Sequence, residues 1–311
     1  GDDADDPSSG GGDSGTLTAG PDAASEDAAS RGVDPEVHFH HVHVNTTDVA
    51  GSEAYYARVF DTVKFPLDNG VEVVKADGAF ILLDEVDTMP PENLDVGIEH
   101  FGWGSTDMPA WWEDAMGRDI EVDPRDGLDG LVELFPGFHF VYLLGPSNER
   151  IEVNTADHDE FGHVHFMTDD VDATVAWYEQ LLGVEANMES ATELVLDREI
   201  AGTPVEWSSN AITIDKVNMI FFGPPFAVPE SFAPSDEYPF GHVAFSFTDL
   251  GPALERIEQM GVEVVSGPAE DPTHGFRSVF VRAPNQVLVE LVEAEPIPNP
   301  QPDADESGAG S

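Results

Sequence analysis

Four histidines, His41, His100, His163 and His242, each precede an aspartate by seven residues: Asp48, Asp107, Asp170 and Asp249. Their surroundings, FHHVHVNTTD, IEHFGWGSTD, FGHVHFMTDD and FGHVAFSFTD, alternate apolar with small or polar residues, the pattern of a half-buried strand. Two glutamates hold matching places further on. Glu152 and Glu290 each follow a proline (Pro146, Pro284) by six residues, and both sit inside apolar strands. A carboxylate buried there is costly unless something pairs with it. Two imidazoles and one carboxylate on one face suit a divalent first-row metal and leave positions open for substrate or oxygen. Grouping within each half of the chain gives two candidate sites: His41, His100 and Glu152, then His163, His242 and Glu290. A lone strand histidine is usually a hydrogen-bonded core residue; four in one register, with two matched glutamates, favour a metal.

Positioning these residues requires a repeated unit. Each histidine strand leads to an aspartate placed as a helix N-cap, then to a helix and about three strands. The helix after the third copy, VDATVAWYEQLLG, is closed by Gly183, and the one after the fourth by Gly261. Four units follow: 36–94 and 95–157 as a first half, 158–234 and 235–295 as a second. Residues 1–35, rich in Gly, Ser and Asp, read as an acidic linker, and 296–311 as a disordered tail. An acidic spacer in a chain opening on Gly suits a secreted or surface-tethered protein; the cytoplasm of a halophile is the other expectation.

His43 and His165 lie two residues beyond His41 and His163, on the same strand face. The equivalent places in the even units are Gly102 and Ala244, which leave room opposite. As groups that titrate near neutrality, His43 and His165 could shuttle protons, or serve as extra ligands or partners of the ligands. His139 and Arg277 occupy matching positions and could orient an anionic substrate. Trp103, Trp111 and Trp112 could line an aromatic pocket, with core packing the commoner use.

Composition narrows the rest. The absence of cysteine excludes thiol catalysis, cysteinyl metal sites and disulfides. No apolar run has the length of a membrane helix. With 62 acidic and 12 basic residues the formal charge is −50, which repels nucleic acid and anionic lipid. Residues 1–32 hold only eight of the acids, so the folded part is itself acidic and implies a saline habitat where cations screen it.

The HV-then-Asp openings, the Pro-to-Glu endings and the helix-Gly-Val-Glu joints at Gly183 and Gly261 resemble the vicinal oxygen chelate superfamily over about residues 37 to 293. That superfamily includes glyoxalases, fosfomycin- and bleomycin-resistance proteins and extradiol dioxygenases. The resemblance implies an α+β fold of four βαβββ modules, paired into two cup-shaped mixed sheets. It implies metal held by the first and last strands of two adjoining modules, carried over as His41, His100 and Glu152, and His163, His242 and Glu290. Fe2+ is the first expectation, with Mn2+, Zn2+ or Ni2+ as alternatives. Four modules in this length are similar to the extradiol dioxygenases. Tyr142 fits their His-to-Tyr spacing, whereas its counterpart in the last module is Phe280. The implied function is a metal-dependent enzyme that chelates vicinal oxygens of a small substrate, with extradiol ring cleavage first. Glyoxalase-like isomerase or lyase chemistry is the alternative, followed by ligand binding without turnover. The expected partner is that small molecule, and a homo-oligomer is compatible with it.

Overall fold

The computed structural model describes residues 37–92, 95–125, 127–187, 192–200, 203–223 and 231–297; for 192–200 and 203–208 the description is of backbone pairing alone. The expected linker, 1–35, lies outside the described residues, as does the expected tail, 296–311, except for 296–297, where Ile297 packs half-buried against Val73, Phe80 and Leu82. The first module runs β1 (Val37–Thr46), α1 (Val49–Phe60), β2 (Val63–Pro66), β3 (Glu72–Ala76) and β4 (Ala79–Glu85). The second has β5 (Ile98–Ser105), α2 (Met108–Ala115), β6 (Val132–Phe135), β7 (Phe138–Leu144) and β8 (Arg150–Thr155). The third has β9 (Phe161–Met167), α3 (Val171–Leu182), β10 (Thr192–Ile200), β11 (Thr203–Ile214) and β12 (Val217–Gly223). The fourth has β13 (Phe240–Phe247), α4 (Gly251–Met260), β14 (Val264–Glu270), β15 (Arg277–Arg282) and β16 (Leu288–Glu293).

These strands form two eight-stranded mixed sheets, so the fold is α+β with paired modules. The first sheet is ordered β14-β15-β16-β13-β1-β4-β3-β2, the second β10-β11-β12-β9-β5-β8-β7-β6. The first module therefore pairs with the fourth, and the second with the third. This corrects the grouping of sequence neighbours into halves. Connection length supplies a reason. Only residues 156–160 separate β8 from β9, which keeps those modules in one sheet. Residues 86–97 and 224–239 separate the other neighbours, enough chain to cross to a different sheet.

Aspartates start the helices much as expected. Asp48, Asp107 and Asp170 accept from the N–H groups of Gly51, Ala110 and Ala173 at 2.9–3.1 Å. Asp249 departs: the fourth helix begins one residue later, after Leu250, and Asp249 accepts instead from Gly251 N–H at 2.7 Å. Gly183 and Gly261 end α3 and α4 in the left-handed conformation. Among the described residues no helix is long and apolar enough to cross a membrane.

The helices and one face of each sheet share a core. Phe39 of β1 packs on Phe161 of β9 (ring centroids 5.8 Å apart), and Phe101 of β5 on Phe240 of β13 (4.6 Å). Trp103 stacks on Phe60 at 3.9 Å, so it is a core residue rather than a pocket wall. Turns before the closing strands also tie the sheets together. Asn285 Nδ2 donates to Met167 O at 3.0 Å, and Tyr56 Oη donates to Glu149 Oε1 at 2.7 Å.

Glu149 is fully buried, and burial pushes its carboxyl up to about 7, although hydrogen bonds from Tyr56 and Ser147 oppose the rise. A carboxyl raised from 4.5 binds a proton in the fold that the unfolded chain has lost, so stability falls from pH 4.5 to 7 and stays down above it. The shift corresponds to about 3 kcal/mol. In Glu149→Gln the amide oxygen can keep the Ser147 N–H while its NH2 donates to Tyr56. That variant is expected to melt higher than the parent at pH 8, and the gap is expected to close by pH 4.5.

Candidate functional site

A β-bulge precedes each of the four histidines. Two residues of β1 oppose one of β13 at His40, and the reverse occurs at Gly241; β5 and β9 repeat this at Glu99 and Gly162. A bulge re-aims the residues beside it. Val42 and Val44 of β1 enter the core, while His41 and His43 line a cavity on the other face.

In the first sheet, β1, β13 and β16 bring together His41, His242 and Glu290. His41 Nε2 lies 3.2 Å from His242 Nε2 and 3.1 Å from Glu290 Oε2, and His242 Nε2 lies 3.0 Å from the same oxygen. All three residues are buried. Burial holds His41 well below its usual range despite Glu290, so its ring is neutral with a lone pair available. Burial alone would raise Glu290, but hydrogen bonds from His242 and His41 hold it well below the carboxylate range. His41 Nδ1 lies 2.8 Å from Nδ1 of the bulge residue His40, which burial lowers to about 4 and keeps neutral. A cavity of about 260 Å³ opens on this cluster. In its wall, His43 stacks on His242 at 4.3 Å, and its Nε2 lies 3.2 Å from Asp84 Oδ2.

The second sheet groups His100, Glu152 and His163, with His165 as a fourth candidate ligand. His100 Nε2 lies 2.7 Å from Glu152 Oε2, yet the two are not aligned as a hydrogen bond. His163 Nε2 and His165 Nδ1 stand 3.8 and 4.0 Å from that oxygen. The bulge residue Glu99 meets His100 Nδ1 at 3.0 Å and is held from behind by Arg150 at 2.8 Å. Burial would lower His100, but Glu99 and Glu152 raise it to about 9; burial lowers His163 to about 4 and His165 well below the usual range. The proton on His100 must leave for a cation to enter. Gly102 makes the space expected of it, since a Cβ there would overlap His163 Nε2 and the Glu152 carbonyl.

Both groups have the chemistry of a divalent-cation site. Ligand atoms bonded at ~2.1 Å and at right angles stand ~3.0 Å apart, and the 3.0–3.2 Å triangle of the first sheet matches one face of such an octahedron. In the second, the buried Nε2 atoms of His100 and His163, both turned to Glu152 Oε2, have no hydrogen-bond partner, the condition of nitrogens that await an ion. All six candidate ligands thus occur in clusters, but with partners exchanged. His41 joins His242 and Glu290, not His100 and Glu152, because its strand pairs with β13.

Among the other candidates, His43 lies in the cavity wall, and His165 is a neighbour of ligands in the second sheet. Tyr142 sits edge-on to His100 at 5.2 Å, as Phe280 does to His242 at the same distance. Arg277 binds Glu293 at 2.7 Å, and His139 lies 4.0 Å from Glu133, both away from the clusters. His40, Glu99 and Asp84 were not singled out by the sequence. The signal for the first two is a polar residue at the strand position where strict alternation demands a core side chain.

A family model described as the Glyoxalase/Bleomycin resistance protein/Dioxygenase superfamily matches residues 160–291. No curated protein matches the sequence. Glyoxalase I from Zea mays superposes with a TM-score of 0.62 at 12% identity, covering 83% of this chain and 92% of that one. A Bacillus subtilis protein provisionally named as a dioxygenase superposes with a TM-score of 0.55 at 13% identity, covering 83% and 85%. At such identities the likeness is one of fold.

Proposed function

This chain belongs to the glyoxalase/bleomycin resistance protein/dioxygenase superfamily through residues 160–291, and from that premise we propose that it is a divalent-metal-dependent enzyme acting on a small substrate with vicinal oxygens, by extradiol ring cleavage of a catechol-like ring. The observation that carries the reading is the His41, His242 and Glu290 triangle at the base of a cavity. A bound cation would supply Lewis-acid polarisation of the two oxygens and, as Fe(II), open positions for dioxygen.

The chain supplies the rest. Neutral His41 and ionised Glu290 present lone pairs from β1 and β16, the strands on either side of β13, and His40 fixes the orientation of the His41 ring through Nδ1. His43 is the proton acceptor. Burial and the His242 ring beside it keep it below its usual range, hence neutral near pH 7. His43 Nε2 faces Asp84 Oδ2 at 3.2 Å, so a proton passed to Nε2 from a substrate hydroxyl would be held against that carboxylate, which stabilises the imidazolium. The apolar walls at Leu82, Phe276 and Phe280 exclude water from the ring.

Metal analysis combined with oxygen uptake tests this. Purified protein is expected to hold a first-row metal and, after Fe(II) loading, to consume one O₂ per catechol. Exchange of a substrate carbon-bound proton with solvent, without oxygen uptake, would replace ring cleavage by isomerase chemistry. Tight ligand binding by metal-free protein would make it a binding protein.

A further inference from the structure

The cavity above His41, His242 and Glu290 carries a charge pattern that ring cleavage alone leaves unused. Its wall holds three further carboxylates, Asp84, Glu270 and Asp271, and among the described residues neither lysine nor arginine lines it. Two of these acids are fixed in place. Asp84 is held by His43. Asp271 accepts from Thr273 N–H through Oδ1 and from His274 N–H through Oδ2, each at 3.0 Å, and His274 Nδ1 lies 2.8 Å from Oδ2. The same loop is latched to the first module by Asn69 Nδ2, which donates to Thr273 O at 3.0 Å. The acids therefore belong to a built wall between two modules. Phe276 and Phe280 give that wall its aromatic surface.

A substrate anion would meet these carboxylates in a partly desolvated space, where dissolved salt screens poorly. An ammonium group would be paired there and flanked by aromatic rings. The volume of about 260 Å³ is below the ~300–1,000 Å³ usual for ligand pockets, which limits the ligand to about one ring and a short side chain. We infer that the substrate carries vicinal oxygens at one end and a positively charged group at the other, and that anionic analogues are rejected. The inference rests on the proposed chelation of vicinal oxygens by the metal of the first sheet.

Three probes of nearly one shape separate the possibilities: dopamine, 4-ethylcatechol and 3,4-dihydroxyphenylacetate, with a cationic, neutral and anionic side chain. Binding is measured by calorimetry without oxygen on full-length protein loaded with Zn(II), which has no redox chemistry. In 1 M KCl the screening length is ~3 Å, so the comparison reports the wall and not the overall charge. The expected order is dopamine, then 4-ethylcatechol, then 3,4-dihydroxyphenylacetate, with about 10-fold or more between the extremes. Glu270→Gln, at an exposed position, is expected to narrow that ratio. Equal or tighter binding of the anion, or a ratio unchanged by Glu270→Gln, would overturn the inference and leave the chelation reading standing. Binding of none of the three would remove both.

Discussion

Glu290→Gln is expected to strip the metal from the first sheet and leave the second site loaded, so that a chain holding two cations keeps one. The carboxylate is the sole anionic member of the His41, His242 and Glu290 triangle, and an amide cannot neutralise a divalent charge. Loss of an outer hydrogen-bond partner alone costs roughly 10–100-fold in metal affinity, so removal of a ligand is expected to cost at least ~100-fold. His41→Ala is expected to remove the same ion, although its residue lies at the opposite end of the folded chain. The double variant His41→Ala/Glu290→Gln then loses no more than either single one, because the two residues act as a unit. His41→Ala/Glu152→Gln, by contrast, loses both ions. Metal per chain by mass spectrometry, with chelator competition, reads all four variants. If His41→Ala and Glu290→Gln remove different ions, or if the first double variant loses both, the cross-module site is wrong.

That experiment addresses the part of the site that local sequence left open. The individual ligands were legible because their signals are short in range. Each histidine is marked by an aspartate seven residues on, and each glutamate by a proline six residues before it. Which histidine meets which glutamate is a matter of sheet order, set by contacts between residues far apart in the chain. The relevant clue was present in the connections, since the five residues 156–160 cannot carry β9 far from β8, while longer joints free the outer modules to meet. The support of the ligands was hidden for a different reason. His40 and Glu99 stand where alternation points into the core, and only a bulge turns each beside its histidine, where it meets Nδ1. A polar residue out of phase in an otherwise apolar strand is the mark of such a bulge. The charged wall of the cavity comes from the ends of β4 and β14 and the loop that follows β14, segments with no motif at all, and it took the fold to bring them together.

Melting in salt is expected to show the second large effect: a rise of roughly 10 °C or more between 0.1 M and 2 M KCl. With 62 acids and 12 bases, most carboxylates have no cation to pair with, and the exposed pairs present, such as Lys64 with Glu53 and Lys216 with Glu160, offset little of the total. Carboxylates crowded on a compact surface repel one another, and unfolding moves them apart, so the repulsion acts against the native state. At 0.1 M salt the screening length is ~10 Å and neighbouring surface charges still interact; at 1 M it is ~3 Å and they do not. Relief of several kcal/mol at ~2–4 °C per kcal/mol gives a shift of this size. Sucrose separates the cause, because it favours burial by exclusion but screens no charge. The rise is therefore expected to be clearly larger in KCl than in sucrose adjusted to the same osmolality. A melting temperature that stays level in KCl, or climbs equally in sucrose, would mean that the fold tolerates its charge without screening and that the composition carries no sign of a saline habitat.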